Sequence, residues 1–130
     1  MDFARYPEWN PFVRSIEGVP SIGSRLKVTI QPPGGKAMSF RPVVLQKTEG
    51  REFRWKGILL FRGLFDGEHY FKLVPGVGGS TVFTHGEDFA GLLVPLFRST
   101  LDGKTKTGFE AMNNALKQRL TENTRLETKV

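Results

Sequence analysis

Residues 92–122, LLVPLFRSTLDGKTKTGFEAMNNALKQRLTE, read as one long amphipathic helix, and the fold turns on that reading. Phe97, Leu101, Phe109, Met112, Leu116 and Leu120 recur at steps of four, once three, with Thr105 in the gap, so they form a single apolar stripe at the helical period. Arg98, Lys104, Lys106, Glu110, Lys117 and Arg119 fall mainly off it. A helix of about 28 residues is about 42 Å long. Nothing else in the chain reads as a second helix of that length, so the stripe must pack on the strand-rich segment before it. Each large side chain buried there contributes roughly 1.5–3 kcal/mol. Gly103 and Gly108 each weaken the helix by about 1 kcal/mol relative to alanine. They mark places where a bulky strand residue, or a ligand, comes close to the helix backbone.

Going back toward the N-terminus, strand patterning repeats. Phe83, His85, Glu87 and Phe89 share one face of a strand over 81–89. The Gly-rich turn 76–79 precedes it, and before that His69, Phe71 and Leu73 alternate with Glu68, Tyr70 and Lys72. Phe53, Trp55, Gly57 and Leu59 alternate with Arg54 and Lys56. Met38, Phe40, Pro42 and Val44 form the inner face of a further strand, in which Pro42 implies a bulge or break. Leu26, Val28 and Ile30 alternate with Arg25, Lys27 and Thr29, and a first strand covers 12–19. The opening segment, Phe3 to Asn10, reads as a short helix or turn packed by Tyr6 and Trp9 and ended by Pro11. Short connections make sequence neighbours antiparallel neighbours. The expectation is an α+β domain spanning 1–130: a curved antiparallel sheet of about six strands wrapped around one long C-terminal helix.

Composition narrows the function. The chain has no cysteine, which removes disulfides, thiol nucleophiles and thiolate metal ligands. Met1-Asp2-Phe3 begins neither a basic nor an apolar signal region, and no apolar run approaches about 18 residues; a cytoplasmic protein without a membrane span is expected. The whole net charge of +6 lies in residues 1–65. Arg25, Lys27, Arg41, Lys47, Arg54 and Lys56 alternate with apolar residues and so share the solvent face of the sheet. A nucleic-acid or anionic-membrane surface would use such charge, but aromatic side chains for base stacking are not interleaved with it. A solvated outer face, with no nucleic-acid partner, is the reading adopted. Pro32-Pro33-Gly34-Gly35-Lys36 leads into a strand and lacks the helix and Ser/Thr of a phosphate loop. No nucleophile elbow appears, and no cofactor is called for.

Four stretches carry a resemblance: YPEWNPF at 6–12, GLFDGEH at 63–69, THGEDFAG at 84–91 and GFEAMNNALK at 108–117. The chain resembles the START-like helix-grip superfamily, in its polyketide cyclase/dehydrase and lipid-transport (SRPBCC) branch. The resemblance implies a cavity between the concave sheet and the long helix that holds a small apolar ligand. Trp9, Phe40, Trp55, Leu59, Phe71, Phe83, Phe89, Leu101, Phe109 and Met112 are expected to line it. Members usually begin with a strand and helix ahead of the YPEW segment, so the first family strand is expected to be missing. That would bare the edge of strand 81–89 and invite a homodimer there.

Alternation aims His69, His85 and Glu87 inward. As catalytic candidates they suit acid–base work, one histidine taking a proton while Glu87 orients it. Two histidines and a carboxylate also suit a metal, although no metal is expected. The third alternative is that these buried polar groups satisfy one another. Binding a small hydrophobic molecule is the expected function. The alternatives are a cyclase- or dehydrase-like enzyme using this trio, and a protein-interaction module.

Overall fold

The computed structural model describes residues 2–58 and 60–127, apart from the side chains of residues 100–102 and 123–127. A 3-10 turn at Phe3–Arg5 leads into a one-turn helix, α1 (Tyr6–Trp9). Pro7 fits in its first turn, where no amide proton is needed. The chain is redirected by Asn10, a polar residue only 1% exposed. Its Oδ1 accepts from the backbone N–H of Phe12 at 3.0 Å and of Val13 at 2.8 Å. That bracket converts the end of α1 into the start of β1 (Val13–Glu17).

The strands that follow are β2 (Lys27–Ile30), β3 (Met38–Phe40), β4 (Val43–Thr48), β5 (Glu52–Ile58), β6 (Asp66–Pro75) and β7 (Thr81–Ala90). They form two antiparallel sheets, β1-β2-β3 and β4-β5-β6-β7. The two are continuous in register. Val28 faces Phe40 in the first sheet, and Arg25 faces Val43 in the same alignment beyond it. Leu26 N–H donates to the Pro42 carbonyl and Val44 N–H to that of Ser24, both at 2.9 Å. So β3 and β4 are one strand bent at Arg41-Pro42, where proline has no N–H to offer a ladder. Counted that way, the meander has the six strands that alternation predicts.

One face of β5, β6 and β7 carries Phe53, Trp55, His69, Phe71, Phe83, His85 and Glu87 in cross-strand rows. The other face pairs its charges. Arg54 bonds Glu52 at 2.9 Å and Glu68 at 2.6 Å, Lys56 lies 3.5 Å from Asp66, and the Tyr70 ring sits under Arg54 and Lys72. Lys27 on β2 pairs with Glu17 at 3.0 Å. Three of the six cations expected on the basic face, Lys27, Arg54 and Lys56, thus have acidic partners. Lys47 departs from the expectation altogether. A bulge between Val44 and Gln46 shifts the register and puts Lys47 opposite Phe53 instead of on the Arg54 side.

The C-terminal rod is interrupted, contrary to the uninterrupted α-helix expected from Leu92. It comprises α2 (Val94–Thr100), a π-helical turn (Leu101–Thr105) and α3 (Lys106–Glu127). Leu92 and Leu93 donate to the carbonyls of Gly63 and Leu64, so they belong to a loop pair and not to the helix. Gly91, at φ 124°, lies against the Leu64 carbonyl where a side chain would collide. Of the two helix glycines, Gly103 has open space around it. Gly108 is where the sheet side closes in: the Phe12 ring occupies the space of its missing Cβ. Phe12 also meets Phe109 edge-on at 5.6 Å. Phe12, Val13, Leu26, Val28, Val44, Phe53, Trp55 and Met112 form the buried core beneath.

Candidate functional site

The three inward polar residues meet under α3. His69 sits between Trp55 on β5 and Glu87 on β7 in the ladder, and His85 lies opposite Phe71 one row on. The two Nε2 atoms are 3.0 Å apart. His85 Nδ1 is 3.0 Å from Asn113 Oδ1 on α3, and His69 Nδ1 is 3.5 Å from a Glu87 carboxylate oxygen. Gly67 makes room for Glu87, since a Cβ there would meet that carboxylate. Rings clamp the pair: His69 stacks on Trp55 at 4.6 Å and 4°, and His85 on Phe109 at 4.0 Å and 26°.

Proton counting limits what this chain of groups can do. Two facing nitrogens hydrogen-bond only when one donates and the other accepts, so both rings cannot be imidazolium together. If His85 Nδ1–H donates to the Asn113 oxygen, its Nε2 accepts from His69. If the Asn113 amide is turned, its NH2 donates to His85 and the direction reverses. Burial pushes the His85 pKa down to about 3, the neighbouring His69 charge pushes the same way, and the Asn113 contact opposes both. His85 is therefore neutral near pH 7. Among the described residues no group of three side chains stands ready to hold a metal ion.

A cavity of about 440 Å³ opens beside this cluster, where α1, the β4–β5 turn, the far ends of β6 and β7, and α3 converge. Tyr6, Trp9, Phe53, Phe71, Leu73, Phe83, Met112 and Leu116 supply its apolar wall. Arg5, Arg51, Arg119, Asp2, Glu49 and Glu52 supply its polar part. Glu8 accepts from Arg5 at 3.1 Å and from Arg119 at 3.4 Å, tying α1 to α3. The Arg5 hydrogen bond holds the Glu8 carboxyl below its usual pKa. Desolvation raises the Tyr6 hydroxyl to about 12, so it remains a donor.

Of the residues expected to line a cavity, Trp9, Phe71, Phe83 and Met112 lie on this one. Trp55 and Phe109 are brought to the histidine pair instead. Phe40 packs over Gly57, and Phe89 joins Phe65 at 5.5 Å in a separate cluster below α2. Leu59 and the side chain of Leu101 lie outside the described residues. Phe71 belongs to both regions, lining the cavity and contacting His69 and His85 at 4.7 Å. Sequence reading missed Asn113, although it stands four residues after Phe109 and so on nearly the same helix face. It also missed Tyr6, Phe53, Leu73 and Leu116 as cavity walls; the stripe spacing already singled out Leu116.

The solved structures similar to this chain share its architecture. Protein NE0264 from Nitrosomonas europaea is 14% identical, with a TM-score of 0.60 over 93% of this chain and 84% of that one. The di-domain aromatase/cyclase StfQ from the steffimycin biosynthetic pathway is 16% identical, with a TM-score of 0.54 over 90% of this chain. The chain spans 44% of that di-domain protein. At these identities the likeness establishes the fold alone. No curated protein matches the chain. The family model described as polyketide cyclase / dehydrase and lipid transport matches residues 1–121, and the chain belongs to that family.

Proposed function

We propose that this protein binds a small hydrophobic molecule in the cavity between α1, the sheet and α3. The observation that carries the reading is the cavity itself: about 440 Å³, walled by aromatic and aliphatic side chains from five elements, with six charged side chains completing its lining. That volume is within the range of small-molecule sites. Tyr6 adds a hydroxyl donor on the wall, suited to a carbonyl or hydroxyl of an otherwise apolar ligand. Trp9 is a built-in reporter. With Trp55 replaced by phenylalanine, Trp9 fluorescence should change saturably on titration with dodecanoic acid or a fused-ring aromatic ketone. Leu116→Trp, which fills the wall from α3, should weaken that binding at least tenfold without lowering the melting temperature. Equal binding by Leu116→Trp, or no saturable response to either ligand class, refutes the proposal.

The cyclase- or dehydrase-like reading rests on a different observation, the Glu87–His69–His85–Asn113 chain. It is the weaker of the two, because the ring nitrogens are engaged with one another, Asn113 and Glu87. A substrate proton reaches His85 only if one of those contacts opens. Phe71 gives such opening a route, since a ligand in the cavity presses on the ring that packs against both histidines. This reading requires that His85→Gln abolish turnover of a poly-β-carbonyl substrate while leaving its binding intact. We propose separately a homodimer along β7, whose outer edge has no strand beside it among the described residues. Light scattering that shows only monomer at micromolar concentration removes it.

A further inference from the structure

The face that α3 turns to the cavity ends in a charge. Met112, Leu116 and Arg119 all line it, spaced four and then three residues apart on one side of the helix. The Arg119 side chain is only 25% exposed, so a guanidinium is held beside an apolar wall. Its one ion pair among the described residues is with Glu8 of α1, where Nη2 donates to Oε2 at 3.4 Å. That contact is long for a charge-assisted bond, and it takes one donor of the five that a guanidinium carries. The same Glu8 oxygen accepts from Arg5 at the shorter distance of 3.1 Å. Arg119 is therefore fixed where α1 meets α3, at the rim of the cavity, with most of its donors uncommitted among the described residues.

Net charge is not what distinguishes this position. Arg5, Arg51 and Arg119 line the cavity, and so do Asp2, Glu49 and Glu52. Glu52 is taken by Arg54 at 2.9 Å and lies 3.9 Å from Lys72. Asp2, Glu49, Arg5 and Arg51 are exposed, and water screens charges so placed. Arg119 is the lining cation withdrawn from water. A planar fork of N–H groups beside an apolar wall matches a carboxylate at the end of an apolar body, because the two parallel bonds of that pair strengthen as water is excluded. Resting on the cavity reading above, we propose that the ligand is an amphipathic carboxylate, an apolar chain or ring system bearing one ionised carboxyl group, and that Arg119 is the residue that selects it.

Dodecanoic acid and dodecan-1-ol, which differ only at the head, are the probes. Each is titrated below its micellar concentration at pH 7, where the acid is ionised, into the Trp55→Phe protein with Trp9 as reporter. The acid should bind at least tenfold more tightly than the alcohol. Arg119→Gln should remove that preference, weakening the acid at least tenfold and the alcohol less than about threefold. Mere loss of the α1–α3 contact does not produce that outcome, since a loosened cavity weakens both probes. Glu8→Gln should widen the preference, because it frees Arg119 of a competing carboxylate. Should Arg119→Gln fail to fold, Arg119→Lys, which keeps the charge and loses the fork, should narrow the preference at least threefold. Equal binding of acid and alcohol, a preference unchanged in the Arg119 variants, or one that shrinks in Glu8→Gln overturns the proposal and leaves the cavity reading in place. Silence from both probes overturns it too, and joined by silence from the aromatic ketone it removes the cavity reading as well.

Discussion

Acidification should destabilise this protein through His85, and the size of the effect follows from its surroundings. The ring is packed between Phe71 and Phe109, with His69 and Asn113 at its two nitrogens, and its pKa in the fold is about 3. In the unfolded chain it returns to about 6.5. Above pH 6.5 the ring is neutral in both states and titrates in neither. As the pH falls below that, the unfolded chain takes up a proton that the folded one refuses, so stability drops until the folded value near 3 is reached. The slope for one such group is about 1.4 kcal/mol per pH unit. Between pH 7 and pH 5 the loss is about 2 kcal/mol, or about 8 °C of melting temperature in a chain of this size. Urea melts at the two pH values, on the unaltered protein and on His85→Gln, measure it. His69, Glu87 and Asn113, the polar groups that face the ring, are kept in the variant, so the difference belongs to His85. A loss that is the same in both proteins refutes the reasoning.

Gly108→Ala improves helix propensity by about 1 kcal/mol in isolation, yet here it should destabilise by about 1–3 kcal/mol, because the added methyl meets the Phe12 ring. Combining it with Phe12→Leu should recover part of the loss in a urea melt; a stabilised Gly108→Ala contradicts the packing. Asn10→Ala removes the acceptor for two backbone N–H groups at a buried position and should cost about 2 kcal/mol, while Asn10→Asp keeps that acceptor and should cost less. Asn113→Ala should lower the His85 pKa further, since its contact is what raises it, and NMR titration of the ring will register the change.

The meander and its inward rows were legible in the sequence because alternation fixes faces once one side is buried. Phe53, Trp55, His69, Phe71, Phe83 and His85 all fall where period two puts them. Lys47 does not, because a bulge is one extra residue and leaves no mark in the hydrophobic pattern. The long helix was legible from its stripe, but its start was not, because that depends on how loop 63–64 captures Leu92 and Leu93, and neither was the π-helical turn at Leu101–Thr105. The candidate site was half legible. Spacing brought His69, His85 and Glu87 together, yet nothing in it says which aromatic rings fill the space under a helix and which stand apart. Trp55 and Phe109 close on the histidines, and room remains at the end where α1 meets α3. That division is a matter of volume and packing between elements distant in sequence.

A crystal structure of the protein grown with a saturating fused-ring aromatic ketone is the most direct test of ligand binding. The ligand is expected between Trp9, Phe83 and Leu116, with a polar atom within hydrogen-bonding reach of the Tyr6 hydroxyl. Those side chains closed upon one another, with the compound absent or seated on the outside of the sheet, would contradict it.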